Sequence, residues 1–240
     1  MKTPLNIPPI FYIEGNTGSG KTTLLRALAK TNTNFVVLEE PVADVQNVNG
    51  INALHMMYEN QKRWSLTVNL LYHVFHIQNL QKTMLQFPDK IIISDRSLFS
   101  GHAFCYADTQ SGILHPIENI LYKKISHIAA STVPKPHGFI YIRTQPEISF
   151  ERICKRKRKE EAHIDAEYWK KLHEGHEHMF FHDNSITKNI PLLILEYNDN
   201  MHEKETCIAQ AIQKITSFIQ QCIEKNNHIP TNQREFNVYP

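Results

Sequence analysis

The 240-residue sequence holds only four cysteines and two tryptophans. Cys105, Cys154, Cys207 and Cys222 lie far apart and form no C-x-x-C pair, which excludes a disulfide-stapled scaffold and points to a reducing compartment. No run of about 18 apolar residues occurs, so no helical membrane span is expected. The polar, proline-bearing stretch Met1–Pro9 is too short for a signal or transit peptide, and a cytoplasmic protein is expected. Charge of one sign is missing too: 26 basic residues stand against 24 acidic ones, a net charge of +2 that is too weak for a nucleic-acid coat. Neither nucleic acid nor membrane is therefore expected as a partner. Glycine is scarce, at eight residues, yet three of them fall between Gly15 and Gly20.

Apolar residues make up 41% of the chain and charged residues 21%, the balance of a globular protein. Short apolar runs at Ile10–Ile13, Phe35–Leu38, Ile91–Ile93, Phe139–Ile142 and Leu192–Leu195 read as strands buried on both faces. Between them the spacing predicts helices at about 21–31, 50–60, 63–86, 97–110, 116–130, 145–157, 165–184 and 203–225. Alternation of this kind implies an α/β fold, a doubly wound five-stranded parallel sheet with helices on both faces. One domain is expected over residues 1–225, followed by a polar, loosely ordered tail at 226–240.

The glycines belong to Gly15-Asn16-Thr17-Gly18-Ser19-Gly20-Lys21-Thr22-Thr23, which fits G-x-x-x-x-G-K-[ST] between a strand and a helix. Glycine lets backbone N–H groups approach phosphate oxygens closely, and the following helix directs its positive end at the anion. Lys21 suits the β and γ phosphates, and the Thr22 hydroxyl suits Mg²⁺. A nucleoside-triphosphate site is expected. The guanine-reading motif N-K-x-D is absent from the chain, which argues against a GTPase switch.

The second strand is followed by Glu39-Glu40-Pro41, and proline holds Glu40 extended. In a parallel sheet this end of a strand faces the ligand crevice, where a carboxylate can take a proton from an attacking hydroxyl. A solvated acidic strand end is the alternative. The third strand runs into Asp95-Arg96-Ser97. There Asp95 suits Mg²⁺ held through water and Arg96 suits Glu40 and the phosphates, unless the two form a surface ion pair. Six of the eleven residues from Glu151 to Glu161 are basic, which fits either a lid over phosphates or a solvated helix face.

Taken together, Glu40-Pro41-Val42, Asn47-Val-Asn-Gly50, Met56-Met-Tyr58, Trp64, Asp95-Arg96-Ser97, Tyr141-Ile-Arg143-Thr, Glu151-Arg152-Ile, Arg156-x-Arg158-x-Glu160-Glu161 and Leu172-His-Glu-x-His-Glu177 resemble the deoxyribonucleoside kinases. That group comprises the cellular deoxycytidine, deoxyguanosine and mitochondrial thymidine kinases and the insect multisubstrate enzyme. The resemblance runs from about Ile10 to Met201, in order and with matching spacing. It implies a P-loop kinase with a basic lid, ATP or another nucleoside triphosphate as phosphate donor, Mg²⁺, and a deoxyribonucleoside as acceptor. It also implies a homodimer formed through helices such as 63–86. Glu40 would be the general base for the 5′-hydroxyl, with Arg96 and Lys21 stabilising charge. Tyr58 and Glu161 would bind the sugar 3′-hydroxyl. Arg156 and Arg158 would be lid arginines with Arg152 at the lid's base, and Asp199 and Asn200 would contact adenine.

The base pocket departs from that family's pattern. Asn69 stands where the family has glutamine, Val68 and Cys105 where it has phenylalanines, and Val45 where some members have tryptophan. Tyr72, His76, Phe75 and Phe104 are the candidates to replace the lost aromatic faces. Gly101, at a position that is aspartate or alanine in relatives, is expected to leave room for a thymine methyl, giving a preference for pyrimidines with thymidine allowed. His178 and His182 have the spacing of a metal pair on a helix, but they belong to a family helix without metal. A thymidylate-type nucleoside monophosphate kinase and a non-catalytic nucleotide-binding homologue are the alternative readings.

Overall fold

A computed structural model describes residues 7–156, 166–183, 186–198 and 204–227. The apolar runs form strands β1 (Ile10–Glu14), β2 (Phe35–Leu38), β3 (Ile91–Asp95), β4 (Gly138–Arg143) and β5 (Leu192–Glu196). They pair in the order β2-β3-β1-β4-β5, all parallel. Ile13 sits opposite Asp95 and Glu14 opposite Tyr141, so the carboxyl ends of β1, β3 and β4 form one edge.

The helices are α1 (Lys21–Thr31), α2 (Val42–Gln46), α3 (Ala53–Glu59), α4 (Gln61–Gln86), α5 (Ser100–Gln110), α6 (Pro116–Ala130), α7 (Pro146–Arg156), α8 (Ala166–Glu177) and α9 (Lys204–Asn227). Side chains alternate across a strand, so successive residues of β1 serve opposite cores. Ile10 and Tyr12 pack with Leu80 of α4, Phe99, and Met179 and Phe180 beyond α8. Phe11 and Ile13 pack with Leu24 and Leu28 of α1 and Ile215 and Ile219 of α9. Both sheet faces are thus covered, as the unbroken apolar runs imply. No helix among the described residues is long and apolar enough to cross a membrane.

The observed helices depart from the expected spans at their ends. The helix expected from residue 50 begins at Ala53. Asn49 and Gly50 take positive φ (52° and 87°) in a tight turn that bridges Val48 to Ile51, and Asn52 caps the helix by accepting from the His55 N–H. Asn60 does the same for α4 through the Arg63 N–H, which starts that helix two residues early. The span expected at 97–110 begins at Ser100, because residues 97–99 are drawn into hydrogen bonds with Glu14 and with each other. The span expected at 165–184 closes as α8 at Glu177 and continues as one π-helical turn, His178–His182, where Asp183 N–H reaches the His178 carbonyl. The last helix, expected to end at about residue 225, runs to Asn227.

Candidate active site

Between β1 and α1 the loop turns on Gly15, Gly18 and Gly20, with φ of 146°, 80° and 102°. A Cβ on Gly15 would lie 2.5 Å from the Ile142 carbonyl oxygen, and one on Gly18 would lie 2.5 Å from that of Ser149. Glycine is needed at both places because backbone fills the space. Lys21 folds over the loop and donates to the carbonyls of Gly15 (2.8 Å) and Asn16 (2.9 Å). Burial, then the neighbouring Arg96, lowers its pKa to about 8. Asn16 turns its amide away from the cavity, donating to the Trp169 carbonyl of α8 at 3.0 Å. The Ser19 carbonyl accepts from Arg152 at 3.3 Å, and Arg152 also lies over the Tyr197 ring.

Beyond the loop a cavity of ≈ 830 Å³ opens towards α3, α4 and α5. It brings together Thr17, Gly18, Gly20, Lys21, Thr22, Thr23, Glu40, Tyr58, Asn69, Asp95, Arg96, Gly101 and Arg152, which the sequence had assigned to phosphate, acceptor and metal. Gly15, Asn16 and Ser19 support the loop from behind. Helix α7 ends at Arg156, whose side chain lies outside the described set, as do residues Arg158, Glu161, Asp199 and Asn200.

At the strand ends, Glu40 Oε1 is 3.0 Å from Arg96 Nε. Arg96 is only 5% exposed. It also donates to the Gly15 carbonyl at 3.4 Å and the Thr17 hydroxyl at 3.3 Å, and lies over the Phe104 ring. Burial opposes its charge, but Glu40, Glu14 and Asp95 outweigh that and raise its pKa. Its backbone has φ 67°, a left-handed conformation held by the Arg96 N–H bond to the Ile13 carbonyl. Thr22 donates its hydroxyl to Asp95 Oδ2 at 3.3 Å, while Asp95 Oδ1 is buried with no hydrogen-bond partner among the described residues. Burial pushes the Asp95 carboxyl upward against the pull of Lys21.

Sequence reasoning missed Glu14, which lies fully buried at the end of β1. Its Oε1 accepts from the Ser97 N–H (2.8 Å), the Ser97 hydroxyl (2.6 Å) and the Ser100 hydroxyl, locking the turn that carries Arg96. Its Oε2 faces His176 Nε2 at 3.9 Å. Burial keeps His176 far below its ordinary pKa, and its Nδ1 bonds the Leu172 carbonyl at 2.8 Å. A lone acid ending an apolar strand was the available signal.

Gly101 differs from expectation. A Cβ there would lie 1.9 Å from the Tyr122 hydroxyl, so the room the glycine leaves is occupied by a side chain from α6. Tyr72, His76 and Phe104 do border the cavity, whereas Phe75 packs with Val45 and Val68. His178 and His182 stack with ring centroids 5.7 Å apart. Among the described residues no three His, Cys, Asp or Glu side chains gather into a metal cage.

A glycine-turned loop, a carboxylate beside a buried arginine, and a second compartment lined by helices share one cavity. Comparison with known proteins gives the same picture. A model of the family described as deoxynucleoside kinase matches residues 11–220. The chain is 29% identical to deoxycytidine kinase 2 of Gallus gallus, covering 86% of this chain and 89% of that one. It is 27% identical to the mitochondrial deoxyguanosine kinase of Xenopus laevis (86% and 88% covered) and 28% identical to the mitochondrial thymidine kinase 2 of Homo sapiens (80% and 72%).

Proposed function

Because the chain belongs to the deoxynucleoside kinase family, we propose that its cavity takes ATP at the Gly15–Thr23 loop and a deoxyribonucleoside between α3, α4 and α5. The enzyme transfers the γ-phosphoryl group to the 5′-hydroxyl, and the product is the 5′-monophosphate. The observation that carries the reading is the Glu40–Arg96 pair at 3.0 Å, bordering the same cavity as Lys21. Glu40 takes the 5′-hydroxyl proton as that oxygen attacks. Arg96, 3.0 Å from Glu40, balances the charge that develops on the phosphoryl oxygens. Tyr58 and Glu161 hold the sugar 3′-hydroxyl, Arg152, Arg156 and Arg158 serve the phosphates, and Asp199 and Asn200 serve the adenine.

Thr22 and Asp95 fit Mg²⁺. They offer hard oxygens with one buried carboxylate oxygen unpartnered among the described residues, and Mg²⁺ favours one or two such ligands plus water and phosphate over an all-protein cage. Bound there, the ion supplies charge neutralisation at the phosphates.

A pyrimidine is the base we assign. The reason at Gly101 is gone, but Tyr72, His76 and Tyr122 all border the cavity, and bulk there suits one ring over two. A homodimer is supported by Ile117, Ile120, Leu121 and Ile128, which expose one apolar stripe along α6, and by Val74, exposed on α4. Sedimentation of the purified chain at monomer mass would refute it. A cytoplasmic location rests on the sequence reading alone; a tagged chain found elsewhere in cells overturns it.

The test incubates the protein with ATP, Mg²⁺, each of the four deoxynucleosides and dTMP. Turnover on a nucleoside supports the reading. Turnover on dTMP alone moves the chain to the monophosphate kinases, and ATP binding without turnover makes it a non-catalytic homologue.

Lys21 gives a further expected result. With a pKa of about 8, it is about three-quarters neutral at pH 8.5 in the free enzyme. Bound phosphates favour its charged form, so the pKa rises and a proton is taken up. Calorimetry in buffers of differing ionisation enthalpy should show proton uptake with ATP that grows between pH 7 and 9. Uptake that stays flat across that range contradicts the assignment.

A further inference from the structure

Helices α4, α5 and α8 meet at the wall of the nucleoside compartment through one chain of hydrogen bonds. Tyr168 of α8 donates its hydroxyl to Asp108 Oδ1 at 2.8 Å. Ser65 of α4 donates its hydroxyl to Asp108 Oδ2. One turn further along α4, Asn69 donates Nδ2 to the Ser65 carbonyl at 3.0 Å and to Ser65 Oγ at 3.3 Å. All four residues border the cavity, and Asp108, on α5, is 4% exposed. Burial raises the Asp108 carboxyl, and the two hydroxyl donors pull it back.

This chain has a direction. A backbone carbonyl only accepts, so the Asn69 group facing the Ser65 carbonyl is the NH₂. The Ser65 hydroxyl has one proton, and Asp108 takes it. Ser65 Oγ is thereby left to accept from Asn69. Both contacts turn the amide the same way, nitrogen towards the helix. Oδ1 has no partner among the described residues and is not among the sealed polar atoms. An amide free to turn would serve a base edge of either polarity; this one is held as an acceptor.

We propose that Asp108 acts through Ser65 to fix Asn69 as a hydrogen-bond acceptor, so that the site selects deoxynucleosides whose base edge carries an N–H and rejects those offering only acceptors there. The inference rests on the deoxynucleoside reading of the cavity. Asp108 is in this sense a positioning residue. Cytosine and thymine both qualify as bases, through N4–H and N3–H. The deoxyriboside of 2-pyrimidinone does not, since it keeps the ring and N3 but has no N–H.

The test compares kcat/KM of the native enzyme on deoxycytidine and on 2-pyrimidinone deoxyriboside. An unpaired buried acceptor should lower the analogue's value roughly ten- to hundredfold. Equal values overturn the inference and leave the kinase reading standing; loss of turnover on every nucleoside overturns both. In Asp108→Asn the new side chain can donate to Ser65, which frees the Asn69 amide to turn. The ratio between the two substrates should then fall to within about threefold, with the KM for ATP unchanged. A purely structural role would lower both substrates alike and keep the native ratio, and that result would remove Asp108 from the inference. Ser65→Ala keeps the carbonyl contact but loses the hydroxyl, and should give a ratio between the two. A ratio at the native value in Ser65→Ala also counts against the relay.

Discussion

Glu40→Gln should lower kcat on the preferred deoxynucleoside by about 10²–10⁴-fold while leaving the KM for ATP within a few fold. Glutamine keeps the shape and still sets an amide oxygen or nitrogen near Arg96, whose Nε lies 3.0 Å from Glu40 Oε1. It cannot take up the proton of the attacking hydroxyl. The Glu40 side chain is 29% exposed, so the isosteric change costs little in packing. Loss of rate with folding and nucleotide binding intact therefore isolates the proton transfer. The proposed ATP cradle, Gly15–Thr23, is touched by Arg96 at the Gly15 carbonyl and the Thr17 hydroxyl, contacts that the Glu40→Gln change leaves in place. Single-turnover kinetics decide the matter, since they separate the chemical step from product release. A variant within tenfold of the native rate in the chemical step would remove Glu40 from the base role.

The sheet was legible because its strands are buried on both faces, so Ile10–Ile13 and Phe139–Ile142 carry continuous apolar runs that helices do not share. The phosphate loop was legible because glycine is needed there at fixed intervals, with backbone 2.5 Å from where a Cβ on Gly15 or Gly18 would sit. Glu40, Asp95 and Arg96 could be named because each closely follows or closes a strand at the crevice, a position that topology alone defines. What escaped depends on residues distant in sequence. Nothing near Gly101 announces that the Tyr122 hydroxyl from α6 fills its space. Asp108 lies 43 residues from Ser65 and 60 from Tyr168, and periodicity places it only as one acid on a helix. The short helix α2 has no side-chain cap, and the π turn after α8 leaves no mark that distinguishes it from more helix.

Arg96→Leu should cost both rate and stability, and the two losses can be separated. Arg96 is, with Lys21, one of two buried cations facing Glu40, Glu14 and Asp95, and its side chain also ties the Gly15 carbonyl to the Thr17 hydroxyl. Removing it leaves the buried carboxylates Glu14 and Asp95 with one cation fewer, a change of the kind that costs about 3–5 kcal/mol when one partner of a buried pair is deleted. The rate should fall roughly 10²–10³-fold, as when one preorganised donor is lost from a charged transition state. Arg96→Lys keeps the charge but offers a single ammonium in place of a planar fork, so it should recover much of the stability and little of the rate. The double variant Glu40→Gln with Arg96→Leu removes one of the stranded charges as well. Denaturant unfolding should find it more stable than Arg96→Leu alone, with activity no better than that of Glu40→Gln. If the double variant is no more stable than Arg96→Leu, the Glu40–Arg96 contact contributes little to folding. The 3.0 Å approach would then reflect the demands of the reaction alone.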